Sequence, residues 1–345
     1  MKAASGVCPI IKAKIFSTMT EFQIYKLHFT SPLHIGDRRA DYGVSLRTIQ
    51  SDTLYAAATA CLAKTREHIP DNGNLKCTIS SLFPFKEDTL FLPKPLNYGI
   101  PKKISPENLK LIKKTAWLDV KHFEAAIHGE NIFPENDIGQ YIDGEYVADN
   151  IENKRPEIQS SISPRVSVAR DGQNDAVPFY MDRIHFKSGS GLYFIATGDT
   201  TLLEIGLNIL QNEGIGTDRN VGNGFFTIEK SRMSLNVPDR PGLQMCMSSF
   251  IPEDNNQLEE MLTGDNISYD IARRGGWITT FPYNSYRKKY IYSFLPASVF
   301  SGGDGTVSEK GAIINLRPDI PQEPDLHNIW RCGRSLFIPI LPSNR

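Results

Sequence analysis

The order of apolar periods along this 345-residue chain predicts the α+β class. Two observations carry that reading. Short runs with the two-residue strand period and two stretches with the helical period follow one another as strand, helix, strands, hairpin, strand, helix, strand. A Pro/Gly break at residues 238–242 is then followed by further strand candidates. The composition, 40% hydrophobic and 22% charged, is that of a globular chain with enough apolar residues for two cores.

Taken in order, residues 22–29 (FQIYKLHF) alternate apolar and polar positions, as a strand does. A turn with Pro32 and Gly36 leads to Ser51 and Asp52, which can cap a helix over residues 53–64. Leu54, Ala58, Cys61 and Leu62 form its apolar stripe. From residue 93 to about 164 the pattern weakens, and this region reads as an inserted, partly mobile excursion with helical pieces at 108–114 and 118–128. Residues 165–169 and 177–186, joined by a polar tip, predict a β-hairpin. A strand at 191–197, an amphipathic helix at 200–212 and a strand at 225–228 close the first unit. That succession is the ferredoxin-like, or RRM-like, βαββαβ arrangement with insertions. Strand candidates after the break fall at 243–250, 277–281, 289–294, 312–316 and 335–340. The expected domains are therefore 21–240 and 241–345, preceded by a loose extension over 1–20.

Formal charge is −1, so any binding to nucleic acid must come from local basic patches rather than a global field. The five cysteines are scattered without a C-x-x-C pair, which fits a reducing cytoplasm and no disulfide framework. His122 and His128 lie six apart, beyond zinc-finger spacing, so no metal or other cofactor is expected. No run of 18 apolar residues predicts a membrane span, and Lys12 and Lys14 interrupt the early apolar stretch, making a poor signal peptide.

The most unusual segment packs Gly214, Gly216, Gly222 and Gly224 into eleven residues, with Thr217, Asp218, Arg219, Asn220 and Asn223 between them. Glycines let a ligand approach the backbone, consecutive amides can make an anion nest, and Arg219 can fork onto a phosphate. The segment lies between a helix and a strand, the reverse of a dinucleotide fingerprint, and lacks the Gly-Lys-Ser/Thr ending of a Walker loop. A kinase-type loop is excluded by the absence of an H-R-D triplet. The plain alternative is a helix-to-strand connection with glycines for its turns.

This loop resembles the signature of the RAMP proteins of CRISPR systems. The run Phe29-Thr-Ser-Pro-Leu-His-Ile-Gly36, followed by Ile49-Gln-Ser-Asp-Thr-Leu-Tyr-Ala-Ala57, is more specific. It resembles the Csm-type subunit of type III-A interference complexes that caps the 5′ end of the guide RNA. Phe179-Tyr180, Gly189-Ser-Gly-Leu-Tyr-Phe194, Arg274-Gly-Gly-Trp277, Trp330-Arg-Cys-Gly333 and Phe337-Ile-Pro339 fit the same family. The resemblance covers residues 22–342 and is weak over 93–164. It implies two ferredoxin-like domains, a glycine-rich loop, an inserted thumb-like hairpin, and no catalytic centre. The partners it implies are the repeat-derived 5′ tag of crRNA, the large polymerase/nuclease subunit and a backbone RAMP subunit.

The expected RNA contacts are the loop residues from Gly214 to Gly224, with amides and Arg219 on phosphates and Asn220 and Asn223 on base edges. Asp218 is expected to accept from a base or to fix the loop. Ser51 offers a helix-start phosphate site, against the simpler role of a plain cap, and His34 a turn contact, against a structural histidine. Arg165 and Arg170 are the hairpin candidates. Residues 271–303 contain no acid, yet carry Arg273, Arg274, Arg287, Lys288 and Lys289 interleaved with Trp277, Tyr283, Tyr286, Tyr290 and Tyr292. Cations beside rings make the composition of a single-strand groove, although an ordinary sheet or subunit interface has the same look. A different class of function, a metal-independent endoribonuclease of CRISPR repeats, would use His34 as general base.

Overall fold

The computed structural model describes residues 17–36, 42–99, 105–133, 138–168, 175–239 and 242–342. The long first sheet is built on β1 (Ser17–Phe29), which pairs antiparallel along its whole length with β11 (Phe226–Pro238). On its other edge β1 pairs antiparallel with β10 (Ser190–Gly198). Next to β10 come β2 (Cys77–Ile79) and β3 (Phe83–Lys86), and β3 turns into β4 (Thr89–Pro93). Both faces of this sheet are covered, so residues alternate between two cores rather than between core and solvent. Tyr25 and Leu27 pack with α1 (Ser51–Leu62) and α5 (Thr201–Glu213). Phe22 and Ile24 face the opposite core.

In the stretch expected to be an inserted, partly mobile excursion, the described residues extend the sheet. β5 (Trp117–Asp119), β6 (Ile142–Asp143) and β7 (Tyr146–Val147) continue it in the order β4-β5-β7-β6. Two helices flank β5. In α2 (Pro106–Lys114) the Ser105 hydroxyl accepts from Asn108 N. In α3 (Val120–Ile127) Asp119 accepts from His122 N. A single turn, α4 (Ile151–Lys154), leads back out. Leu118, Phe123 and Ile127 are fully buried in the second core, which is why this polar-looking region is held.

Two strands stand outside the sheet. β8 (Ile158–Ser167) and β9 (Val177–Phe186) form the expected hairpin, longer than read from sequence and tied to the body by the Leu33–Ile184 bridge.

The C-terminal half is a four-stranded antiparallel sheet of β12 (Gly242–Cys246), β15 (Val299–Gly303), β16 (Ser308–Lys310) and β19 (Ser335–Ile340). One helix, α6 (Asn255–Leu262), packs on it, and among the described residues it is the only helix of this half longer than one turn. A strand–helix–strand–strand–helix–strand unit needs two, so the second copy expected from sequence is not repeated in full. Two ribbons complete the half: β13 (Ile271–Arg274) with β14 (Ile291–Phe294), and β17 (Ile313–Asn315) with β18 (Trp330–Cys332).

The halves are not separate bodies. Leu243, Met245, Leu336 and Ile338 share one core with Phe22, Ile24, Tyr193 and Leu235. A polar clasp joins them as well. Asp52, fully buried at the start of α1, accepts from Arg274 through Nε and Nη2, both at 2.8 Å. Arg331 donates to the same carboxylate at 2.6 Å. Burial would push the Asp52 carboxyl up, but the two guanidiniums prevail and hold it below the usual carboxylate value. No described helix is long and apolar enough to cross a membrane.

Candidate nucleic-acid interface

α5 ends at Gly214, whose φ of 79° turns the chain back toward β11. The loop that follows is laid against the segment after β1. Ile215 N donates to Gly224 O at 2.9 Å, Thr217 N to His34 O at 2.9 Å and Gly224 N to Pro32 O at 2.8 Å. Phe225 N donates to the Ser31 hydroxyl at 2.8 Å. Within the loop, Val221 N and Asn223 N donate to Asp218 O, and Gly222 N donates to Arg219 O. The expected nest of free amides is therefore largely spent on the protein itself. Glycines 216 and 224 are required because a Cβ would drive into the carbonyls of His34 and Ile215. Gly222, by contrast, faces open space at φ 90°. Asn223 is 2% exposed, so it cannot read a base edge. Gly214 and Gly224 are buried, and Arg219 and Asn220 stay exposed with Thr217 and Asp218 half-buried.

Two further expectations are corrected by burial and a third by an ion pair. Ser51 is 3% exposed; its amide donates to Ser81 Oγ and its hydroxyl accepts from Ser249 N, so it splices segments instead of awaiting a phosphate. His34 is 1% exposed and sits 2.7 Å through Nδ1 from the Asp182 carbonyl, which fixes Nδ1 as the donor. Burial, rather than that bond, keeps the ring away from a substrate strand. Arg274 is committed to Asp52 and to Thr53 Oγ1. Arg170 lies outside the described residues.

Arg273, next along β13, points the other way and is exposed, as the strand period demands. Its guanidinium lies 3.9 Å from the Tyr290 ring centroid. Arg287 stacks 4.8 Å over Trp277, its partner across the ribbon. Within the acid-free segment, the β13–β14 ribbon and the loop between its strands thus carry two guanidinium–ring pairs, Arg273 with Tyr290 and Arg287 with Trp277.

The structure brings this ribbon to the glycine loop. An open cleft of about 710 Å³ lies between them. Gly216, Thr217, Asp218, Arg219 and Asn220 form one wall, and Trp277, Ile278, Thr279 and Asn284 form the other. Tyr42, Asn212, Glu213 and Phe225 complete it; none of the four is a candidate from sequence, since each lies outside the glycine loop and the basic-aromatic segment. The β8–β9 hairpin adjoins the cleft through Tyr42, whose ring is 5.4 Å from that of Phe179. Arg165 is the cross-strand partner of Phe179 and shares its face. Rings, amides, the Arg219 guanidinium and the carboxylates of Glu213 and Asp218 line the space. Among the described residues no three His, Cys, Asp or Glu side chains group as a metal site.

With this geometry in place, the comparisons with known proteins fall on one group. Residues 241–340 match the family model described as the CRISPR Csm4 C-terminal domain. A protein from Streptococcus thermophilus described as CRISPR system Cms protein Csm4 is 24% identical over 330 residues, covering 92% of this chain and 99% of that protein. Over residues 241–340 the chain carries the Csm4 C-terminal domain, and over most of its length it is similar to Csm4 proteins. The Csm4 of Mycobacterium tuberculosis (strain ATCC 25618 / H37Rv) is 24% identical over 271 residues, covering 76% of this chain and 83% of that protein. Among solved structures, the fold resembles a chain of the Csm3-Csm4 subcomplex of the type III-A CRISPR-Cas interference complex, with TM-score 0.60 at 16% identity. That match covers 93% of this chain and 100% of the other. A chain of the Csm1-Csm4 cassette in complex with cA4 gives TM-score 0.55 at 17% identity, covering 94% and 100%.

Proposed function

We propose that this Csm4-type chain is a non-catalytic subunit of a type III-A CRISPR effector complex that holds the 5′ tag of crRNA as a single strand. The observation that carries the proposal is the cleft: the two segments whose composition independently suits RNA, one glycine-rich and one basic-aromatic, form its opposite walls. The phosphates run along the rim past Arg219, Arg273 and Arg165, and bases turn inward toward the rings. The β8–β9 hairpin is the thumb-like element, and the first sheet with α1 and α5 is the ferredoxin-like body that positions both. Docking of the large polymerase/nuclease subunit and of a backbone RAMP subunit follows from the likeness to Csm1-Csm4 and Csm3-Csm4 assemblies.

Titration of the purified chain with fluorescent tag-bearing RNA at several salt concentrations tests this. Engagement of about four to six phosphates predicts a log K against log salt slope of roughly −3 to −4. Arg219→Ala is expected to weaken binding and to flatten the slope by about 0.7. An unchanged affinity and slope for Arg219→Ala would remove the loop from the site.

A further inference from the structure

The cleft is poorly made for phosphate and well made for a base edge. Its charged lining is Arg219 beside Asp218, with Glu213 neutralised by Lys64, so its interior offers an anion no net attraction. Glu213 is committed, with Lys64 Nζ within 2.6–2.7 Å of both its oxygens. Asp218 is different. Its main-chain carbonyl accepts from Val221 N and Asn223 N, which fixes the residue in the loop at φ 58°. Its carboxylate has no donor among the described residues. A half-buried, unpartnered carboxylate beside Asn220 and opposite Trp277 is an acceptor waiting for N–H groups.

We infer that the cleft takes a single nucleobase and that Asp218 selects guanine. Guanine alone presents two adjacent donors, N1–H and N2–H, that a carboxylate can accept in parallel, whereas adenine and cytosine present one amino group and uracil one imide. A phosphate in the same place would meet like charge. This deepens the proposed RNA-holding role, on which it rests, by naming the residue that gives the cleft its base preference.

The test uses the full chain and short oligouridylates carrying a single guanosine, inosine or adenosine. Inosine keeps N1–H and lacks the N2 amino group. The guanosine oligomer is expected to bind roughly tenfold tighter than the inosine one, the loss of one charge-assisted hydrogen bond. In Asp218→Asn one acceptor oxygen becomes a donor, so the guanosine preference disappears and adenosine, which matches an amide edge, gains relative to it. The inosine comparison on the unaltered chain decides the matter even if the variant folds badly. Equal binding of guanosine, inosine and adenosine oligomers overturns the assignment of Asp218 while leaving the RNA-holding role intact. Failure to bind any oligomer overturns that role and this inference together.

Discussion

Asp52 is the residue on which the union of the two halves turns. It is one carboxylate meeting two guanidiniums in a dry place, and removing it leaves both uncompensated. Asp52→Ala is expected to cost about 3–5 kcal/mol in urea unfolding. Because ionised Asp52 is favoured more in the folded than in the unfolded chain, its contribution is complete above the ordinary carboxylate range. It is lost as the pH falls through the lowered folded value. The variant should therefore differ most from the parent at neutral pH and approach it in strong acid, which thermal melts across pH would show. In the loop, the glycines divide by what stands over them. Gly222→Ala carries only the backbone cost of its φ, about 1–2 kcal/mol, since nothing lies within reach of a Cβ. Gly224→Ala meets the Ile215 carbonyl and should cost distinctly more. Equal losses would mean the loop is not seated as described. Ser51, His34 and Arg274 could not be sorted from the surface candidates by residue type, because a polar side chain reads alike in a sequence whether its partner is solvent or Asp182, Ser249 or Asp52.

At the scale of elements, the helix over Ser51–Leu62 and that over Thr201–Glu213 were legible from their apolar stripes, and the structure shows why they cross closely. Gly206 faces the Ala58 carbonyl with no room for a Cβ. Gly206→Leu is expected to force the pair apart and to lower stability by roughly 1–3 kcal/mol; a melt within error of the parent would contradict that packing. β11 was read as four residues and is thirteen long, since Glu229, Lys230, Ser231 and Arg232 break the apolar pattern on an edge strand where polar side chains cost nothing. The insertion was illegible for a related reason. Its elements are two to nine residues long, and each contributes only a few side chains, such as Leu118 and Phe123, to a core made elsewhere. The ribbon that forms the cleft's second wall was found by charge and ring content rather than by period, a signal that survives short strands.

For the molecule as a whole, the boundary near residue 240 separates sequence patterns but not cores. A fragment ending there would bare the face that Leu243, Met245, Leu336 and Ile338 cover, so it is expected to unfold without a cooperative transition or to aggregate. The cleft depends on that union too, with one wall from each half. Photocrosslinking of bound tag-bearing RNA to the full chain, with the modified residues located by mass spectrometry, tests the account most directly. Adducts are expected at Tyr42, Phe225 and Trp277 and should be lost when unlabelled RNA competes. Adducts confined to surfaces away from the cleft, such as the charged edge around Glu21 and Arg232, would contradict it.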